Sequence, residues 1–135
     1  MTVWLAVRKR LEEESLGRAE RKTTALQLLS DEEFTIEQVR DECITINTLV
    51  ELGSFGSHRE HLIGEAKRIK SEADAMLTEV RARRKTVERS LSTLSATELE
   101  SAIGVAYHGK RRAETQLKRT QLSRTEVLKS FQDGS

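Results

Sequence analysis

The chain has 135 residues, of which 33% are Asp, Glu, Lys or Arg, 36% are hydrophobic and 4% are aromatic, with no proline, 7 glycines and a net charge of +1. Sheet-rich and α/β folds need turns at short intervals and β-branched or aromatic runs, which this composition lacks, and the lone Cys43 rules out an intramolecular disulfide framework and fits a reducing compartment. So low a hydrophobic share beside so much charge suits long helices that each bury one narrow stripe, within one domain at most.

The apolar start Val3, Trp4, Leu5, Ala6, Val7 is too short for a secretory h-region, and its basic residues follow rather than precede it. No run of about eighteen apolar residues is present to span a membrane. From Ala25 a stripe advances in steps of four and three through Leu29, Glu32, Ile36, Val39, Cys43, Ile46 and Val50, the period of a coiled-coil seam. Upstream the stripe is interrupted at Lys22, Arg18 and Ser15 before Leu11 and Trp4 restore it, and Gly17 weakens that stretch by about 1 kcal/mol relative to Ala. These features predict a first helix over residues 3–52.

Gly53, Ser54, Phe55, Gly56 and Ser57 then form a turn, and Ser57 with Glu60 matches a capping box for the next helix. That helix is predicted over residues 58–131. Leu62, Ala66, Ile69, Ala73, Met76 and Val80 step by four and three, Val87, Leu91 and Leu94 continue, and Leu99, Ile103, Ala106, Ala113, Leu117, Val127 and Phe131 resume in a shifted register. The slip before Leu99 reads as a stutter. Ser95 with Glu98, and Ser30 with Glu33, are further capping-box matches, so breaks there compete with continuous helices; the continuous reading is adopted at both.

Five turn residues force the two helices to run antiparallel. The predicted fold is therefore all-α, a long antiparallel two-helix coiled-coil hairpin, with a four-helix bundle as the alternative. At 1.5 Å per residue the helices would be about 75 Å and 110 Å long, leaving residues 108–131 as a C-terminal overhang without a partner. Charge favours the pairing: residues 1–52 carry 7 Lys/Arg and 11 Asp/Glu, net −4, whereas residues 53–135 carry 16 and 11, net +5.

Candidate chemistry is sparse. Gly104 to Lys110 spells G-x-x-x-x-G-K, but Arg111 stands where a phosphate loop has Ser or Thr, and the flanking pattern is helical; two helix glycines at a close approach explain it better. His58, Glu60 and His61 gather at a helix start without a visible third metal ligand. Cys43 falls on the apolar stripe as a small core residue rather than an accessible thiolate. The basic clusters around residues 81–89 and 110–124 are interleaved with acids and nearly devoid of aromatics, which suits a solvated face or an acidic protein partner better than nucleic acid. No catalytic, cofactor-binding or metal site is assigned, and the chain is read as a non-enzyme.

The opening Leu5, Ala6, Val7, Arg8, Lys9, Arg10, Leu11, Glu12, Glu13, Glu14 resembles the start of FliJ/YscO-type stalk proteins of type III secretion systems, and the stretches Thr78 to Leu91 and Lys110 to Leu117 are similar in texture to their second helix. The resemblance covers the whole chain in pattern, without a specific motif. It implies a cytoplasmic central stalk at the cytosolic face of the apparatus, with neither cofactor nor membrane insertion, linking a hexameric export ATPase to the export gate and in some members escorting chaperones. Flagellar members use tyrosines late in the first helix for the gate; this chain's only tyrosine is Tyr107, so that contact would fall to Val50, Phe55 and Leu62 at the tip. Val3, Trp4, Leu128 and Phe131, expected together at the open end, would face the ATPase. The rival readings are an export chaperone for a helical secreted substrate and a nucleic-acid-binding coiled coil.

Overall fold

The computed structural model describes the backbone of residues 2–89 and 94–133 and the side chains of residues 3–9, 17–89 and 94–130. The described residues form three helices and no strand: α1, Thr2–Leu52; α2, His58–Arg89; and α3, Ala96–Asp133.

α1 is uninterrupted over 51 residues, about 77 Å at 1.5 Å per residue. It runs through Ser30 and Glu33 without a break, as the periodicity predicts. All eight stripe positions from Ala25 to Val50 are buried. They comprise two interleaved rows of seven-residue spacing, and both rows are covered because α1 packs against both other helices. Each flanking helix buries chiefly one such row: Ala66, Ala73, Val80 and Val87 on α2, with Leu77 beside them, and Leu99, Ala106, Ala113, Thr120 and Val127 on α3. The small alanines let both flanking helices approach α1 closely. Leu62, Ile69 and Met76, predicted on the α2 stripe, are half-buried at its edge, as are Ile103 and Leu117 on α3.

The turn falls where expected. α1 closes with Gly53 N–H donating to the Leu49 carbonyl at 3.0 Å, and Gly56 takes the left-handed conformation, φ 55°, which costs glycine nothing sterically. The predicted Ser57–Glu60 capping box does not form. The first donors of α2 instead reach back to turn carbonyls, His58 N–H to Phe55 and Arg59 N–H to Gly56, so the backbone satisfies those donors.

The second predicted helix is corrected. It is not continuous over 58–131: α2 ends at Arg89, and α3 starts at Ala96 behind a cap in which the Ser95 hydroxyl accepts from Glu98 N–H at 3.1 Å. α3 then doubles back alongside α1. Its bonds to α1 ascend together in both helices, Arg21 with Glu100, Asp31 with Lys110 and Glu42 with Arg124, so α1 and α3 are parallel. Bonds between α1 and α2 run in opposite order, Lys22 with the Glu88 carbonyl and Glu33 with Arg81, so that pair is the expected antiparallel hairpin. The C-terminal overhang does not exist, because Ala113, Thr120 and Val127 lie buried in the bundle. Of the four-helix bundle alternative, the described residues show three packed helices. Both flanking helices are net basic, α2 with 9 Lys/Arg to 6 Asp/Glu and α3 with 7 to 5, on either side of the acidic α1. Leu91 and the side chains of Leu11 and Phe131 lie outside the described residues.

Candidate protein-binding surfaces

The three helices are pinned together at one buried charge. Glu32 occupies the only polar position of the α1 stripe, and its side chain is 1% exposed. Arg83 of α2 reaches it with both terminal nitrogens, at 2.8 Å to Oε1 and 3.3 Å to Oε2. On the opposite side, α3 presents Gly109, where a Cβ would fall 2.6 Å from the Glu32 Cδ. Next to this point Arg81 and Arg84 both hold Glu33, and Arg81 also reaches Glu37 at 3.1 Å. A charge removed from water needs such a partner, so the glycine, arginine and glutamate fix the mutual register of α1, α2 and α3.

This geometry disposes of the G-x-x-x-x-G-K match. Gly104 to Lys110 lies inside α3, so its backbone donors are committed to the helix, a carboxylate fills the space beside Gly109, and Lys110 reaches Asp31 at 3.4 Å. Gly104 has no neighbour within 4 Å of a built Cβ, so of the two glycines only Gly109 marks a close approach. Cys43 is buried, and burial first, then the neighbouring Glu42 carboxylate, push its thiol up to about 11. It is a core residue, not a nucleophile. His58, Glu60 and His61 are exposed at the start of α2, and among the described residues no group of three or more His, Cys, Asp or Glu is placed to hold a metal. No helix of the described residues is long and apolar enough to cross a membrane.

The predicted contact residues separate into two groups by place. Val3 and Trp4 stand on the N-terminal extension of α1, 77% and 68% exposed, together with exposed Leu5 and Val7. Leu128 is not beside them. Because α3 returns toward the turn, its C-terminal part lies at the other end, where Ser123, Val127 and Ser130 share a cleft with Phe55, His58 and Leu62. The expectation that Val3, Trp4 and Leu128 meet at one open end is therefore corrected. At the tip, Val50 is fully buried in the core, and Phe55 and Leu62 fold back half-buried against it. Leu52 is the strongly exposed apolar side chain of the tip, two residues past Val50 and off the buried stripe. Its departure from the four-three spacing of α1 is the sequence signal that marks it.

A third surface was not anticipated. Among the described residues, α2 and α3 both pack on α1 but not on each other, leaving a furrow between them along the bundle. Leu29, Ile36, Val39 and Ile46 of α1 form parts of its floor. It widens into successive cavities of about 490, 330 and 340 Å³. Glu65 on its edge accepts two hydrogen bonds from Arg68, which hold its carboxyl below the usual range. Set against family models, curated proteins and solved structures, the chain has no match.

Proposed function

We propose that the chain is a non-enzymatic helical adaptor, and specifically a cytoplasmic stalk or adaptor at the cytosolic face of a type III secretion apparatus that couples the hexameric export ATPase to the export gate. The observation that carries this reading is α1 itself. One unbroken helix joins an N-terminal segment displaying Val3, Trp4, Leu5 and Val7 to a tip displaying Leu52, and α2 and α3 brace it over the part between. A braced helix keeps its two ends in fixed relation, so displacement or rotation imposed at one end reaches the other. Exposed Trp beside aliphatic neighbours is the composition of a binding anchor, and apolar side chains left in water favour a partner that covers them.

In this reading the α1 extension enters the ATPase ring and the tip meets the gate, with chaperones as further partners. The resemblance of the first helix to FliJ/YscO-type proteins points to those partners, and the exposed residues support the choice of contact places. The test is addition of the purified chain to the hexameric ATPase of a type III system. Stoichiometric binding with stimulated hydrolysis, lost in Trp4→Ala while the helical content is kept, is the expected result. A folded wild-type chain that neither binds nor stimulates the ATPase would overturn the proposal.

A further inference from the structure

We propose that the furrow between α2 and α3 is a self-association face, closed by a second copy of the chain related by a two-fold axis running along the furrow. The inference is independent of the secretion reading, because it concerns only how two copies fit.

Surface area gives the first argument. A compact protein of 15.3 kDa exposes about 7,100 Å², whereas this chain exposes 9373 Å². The difference, about 2,200 Å² for one chain, exceeds the roughly 600–1,000 Å² that each partner of a stable complex buries. Part of it belongs to the α1 extension and part to the splayed pair of helices, whose furrow has an aliphatic floor and half-buried Ile69 and Met76 on its α2 wall.

Charge selects the occupant and the axis. Over the two stretches nearer the turn, the α2 edge carries Glu65 and Glu72 and the α3 edge Arg112 and Arg119, each pair seven residues apart; in the stretch beyond, Glu79 and Arg83 of α2 lie across from Glu98 of α3. Glu72 and Arg112 line one stretch of the furrow, and Glu65 and Arg119 the next. No ion pair crosses between them among the described residues. Glu65 and Glu72 bond Arg68 of their own helix, while Arg112 and Arg119 have no hydrogen-bond or ion-pair partner among the described residues. Even counting Arg68, the middle of the α2 edge is acidic and that of the α3 edge basic.

Rotating a second copy about the furrow axis sets its α3 edge against the first copy's α2 edge at the same height, and the reverse on the other side. Glu72 then faces Arg112 of the second copy, and Glu65 faces Arg119, twice over. A two-fold axis across the furrow would set α2 against α2 and α3 against α3, like charge against like, which is destabilising. The chosen axis also makes neighbouring helices alternate in direction around the interface, because α2 and α3 are themselves antiparallel; this is the all-antiparallel order of a four-helix bundle. An isologous patch of this kind is self-complementary, as two-fold dimers require.

The experiment is sedimentation equilibrium on the full chain up to about 200 µM, a range that detects micromolar association. Wild type is expected to dimerise. E65R/E72R and R112E/R119E, all at surface positions, are each expected to weaken dimerisation by about tenfold or more, with helical content unchanged by circular dichroism. An equimolar mixture of the two variants should recover the dimer, because positions 65 and 72 again face opposite charges at positions 119 and 112. The quadruple variant E65R/E72R/R112E/R119E should recover it alone. A monomeric wild type, including one whose furrow takes a helix of another protein instead, overturns the proposal. So does a dimer insensitive to the double variants, or a failure of the mixture and the quadruple variant to associate.

Discussion

Removing either partner of the Glu32–Arg83 pair should have unequal consequences. Glu32 is 1% exposed, whereas the Arg83 side chain is 25% exposed and has Glu79 at 3.9 Å from its Nε. In Arg83→Met the carboxylate stays in the core, between α1 and Gly109, with no cation. Leaving a buried charge unpaired costs about 3–5 kcal/mol. For 135 residues the entropy of unfolding is about 0.28 kcal/mol/K, so about 3 kcal/mol lowers the thermal midpoint by about 10 °C. Glu32→Met instead deletes the group that cannot reach water and replaces it with a flexible apolar chain of similar length. The stranded guanidinium has both solvent and Glu79 within reach, so this variant should lose less than about 1 kcal/mol. The double variant Glu32→Met/Arg83→Met should fall near Glu32→Met rather than near Arg83→Met. Thermal melts followed by circular dichroism, with urea titrations to confirm an unchanged slope, measure all three. Equal losses for the two single variants, or a double variant as unstable as Arg83→Met, would refute the reasoning that burial of the carboxylate dominates this site.

Gly109→Ala should destabilise by about 1–3 kcal/mol through overpacking against Glu32, while Gly104→Ala, with open space at its Cβ, should stabilise by about 0.5–1 kcal/mol; urea midpoints of the two variants compare them directly. The Cys43 thiol should resist alkylation at pH 8 in the folded chain and react once urea exposes it. Because burial raises its pKa from 9.0 to about 11, the folded state holds this proton more tightly than the unfolded one; that contribution to stability is whole below about pH 9 and disappears as pH rises to about 11, a loss that Cys43→Ala should not show. Trp4, the only tryptophan, should emit like a solvated indole in the free chain and shift to the blue when a partner covers it. Trp4→Ala should leave the unfolding free energy within about 0.5 kcal/mol, as substitutions at exposed sites do.

Much of the α1 core was legible without coordinates. The steps of four and three from Ala25 to Val50 name the buried residues of that helix because a helical face recurs with that period whatever packs on it, and the glycine-rich turn at residues 53–57 could only end one helix and start another. The inert placement of Cys43 followed from the same stripe. The surfaces were less legible. Val50, Phe55 and Leu62 all looked available at the tip, yet Val50 sits on the core row and the other two fold onto it, leaving Leu52 outside. Gly109 was readable as a close approach, but nothing local said that the approaching group is the Glu32 carboxylate.

The chain's own residues thus determined that it is helical, which face of α1 is buried and where the first reversal falls, since all three follow from local period and turn chemistry. Tertiary structure alone decided the second reversal. Around residues 90–95 the sequence offers both a serine cap and apolar residues able to carry the helix onward, and local terms of that size nearly cancel. What tips the balance is distant: folding back lets α3 bury Leu99, Ala106, Ala113, Thr120 and Val127 on α1, at about 25 cal/mol for each Å² of apolar surface removed from water. A straight second helix would have left most of that row in solvent. The same reversal moves the exposed extension to the N-terminus, brings Leu128 to the tip and opens the furrow between α2 and α3, none of which a stripe read one helix at a time can disclose.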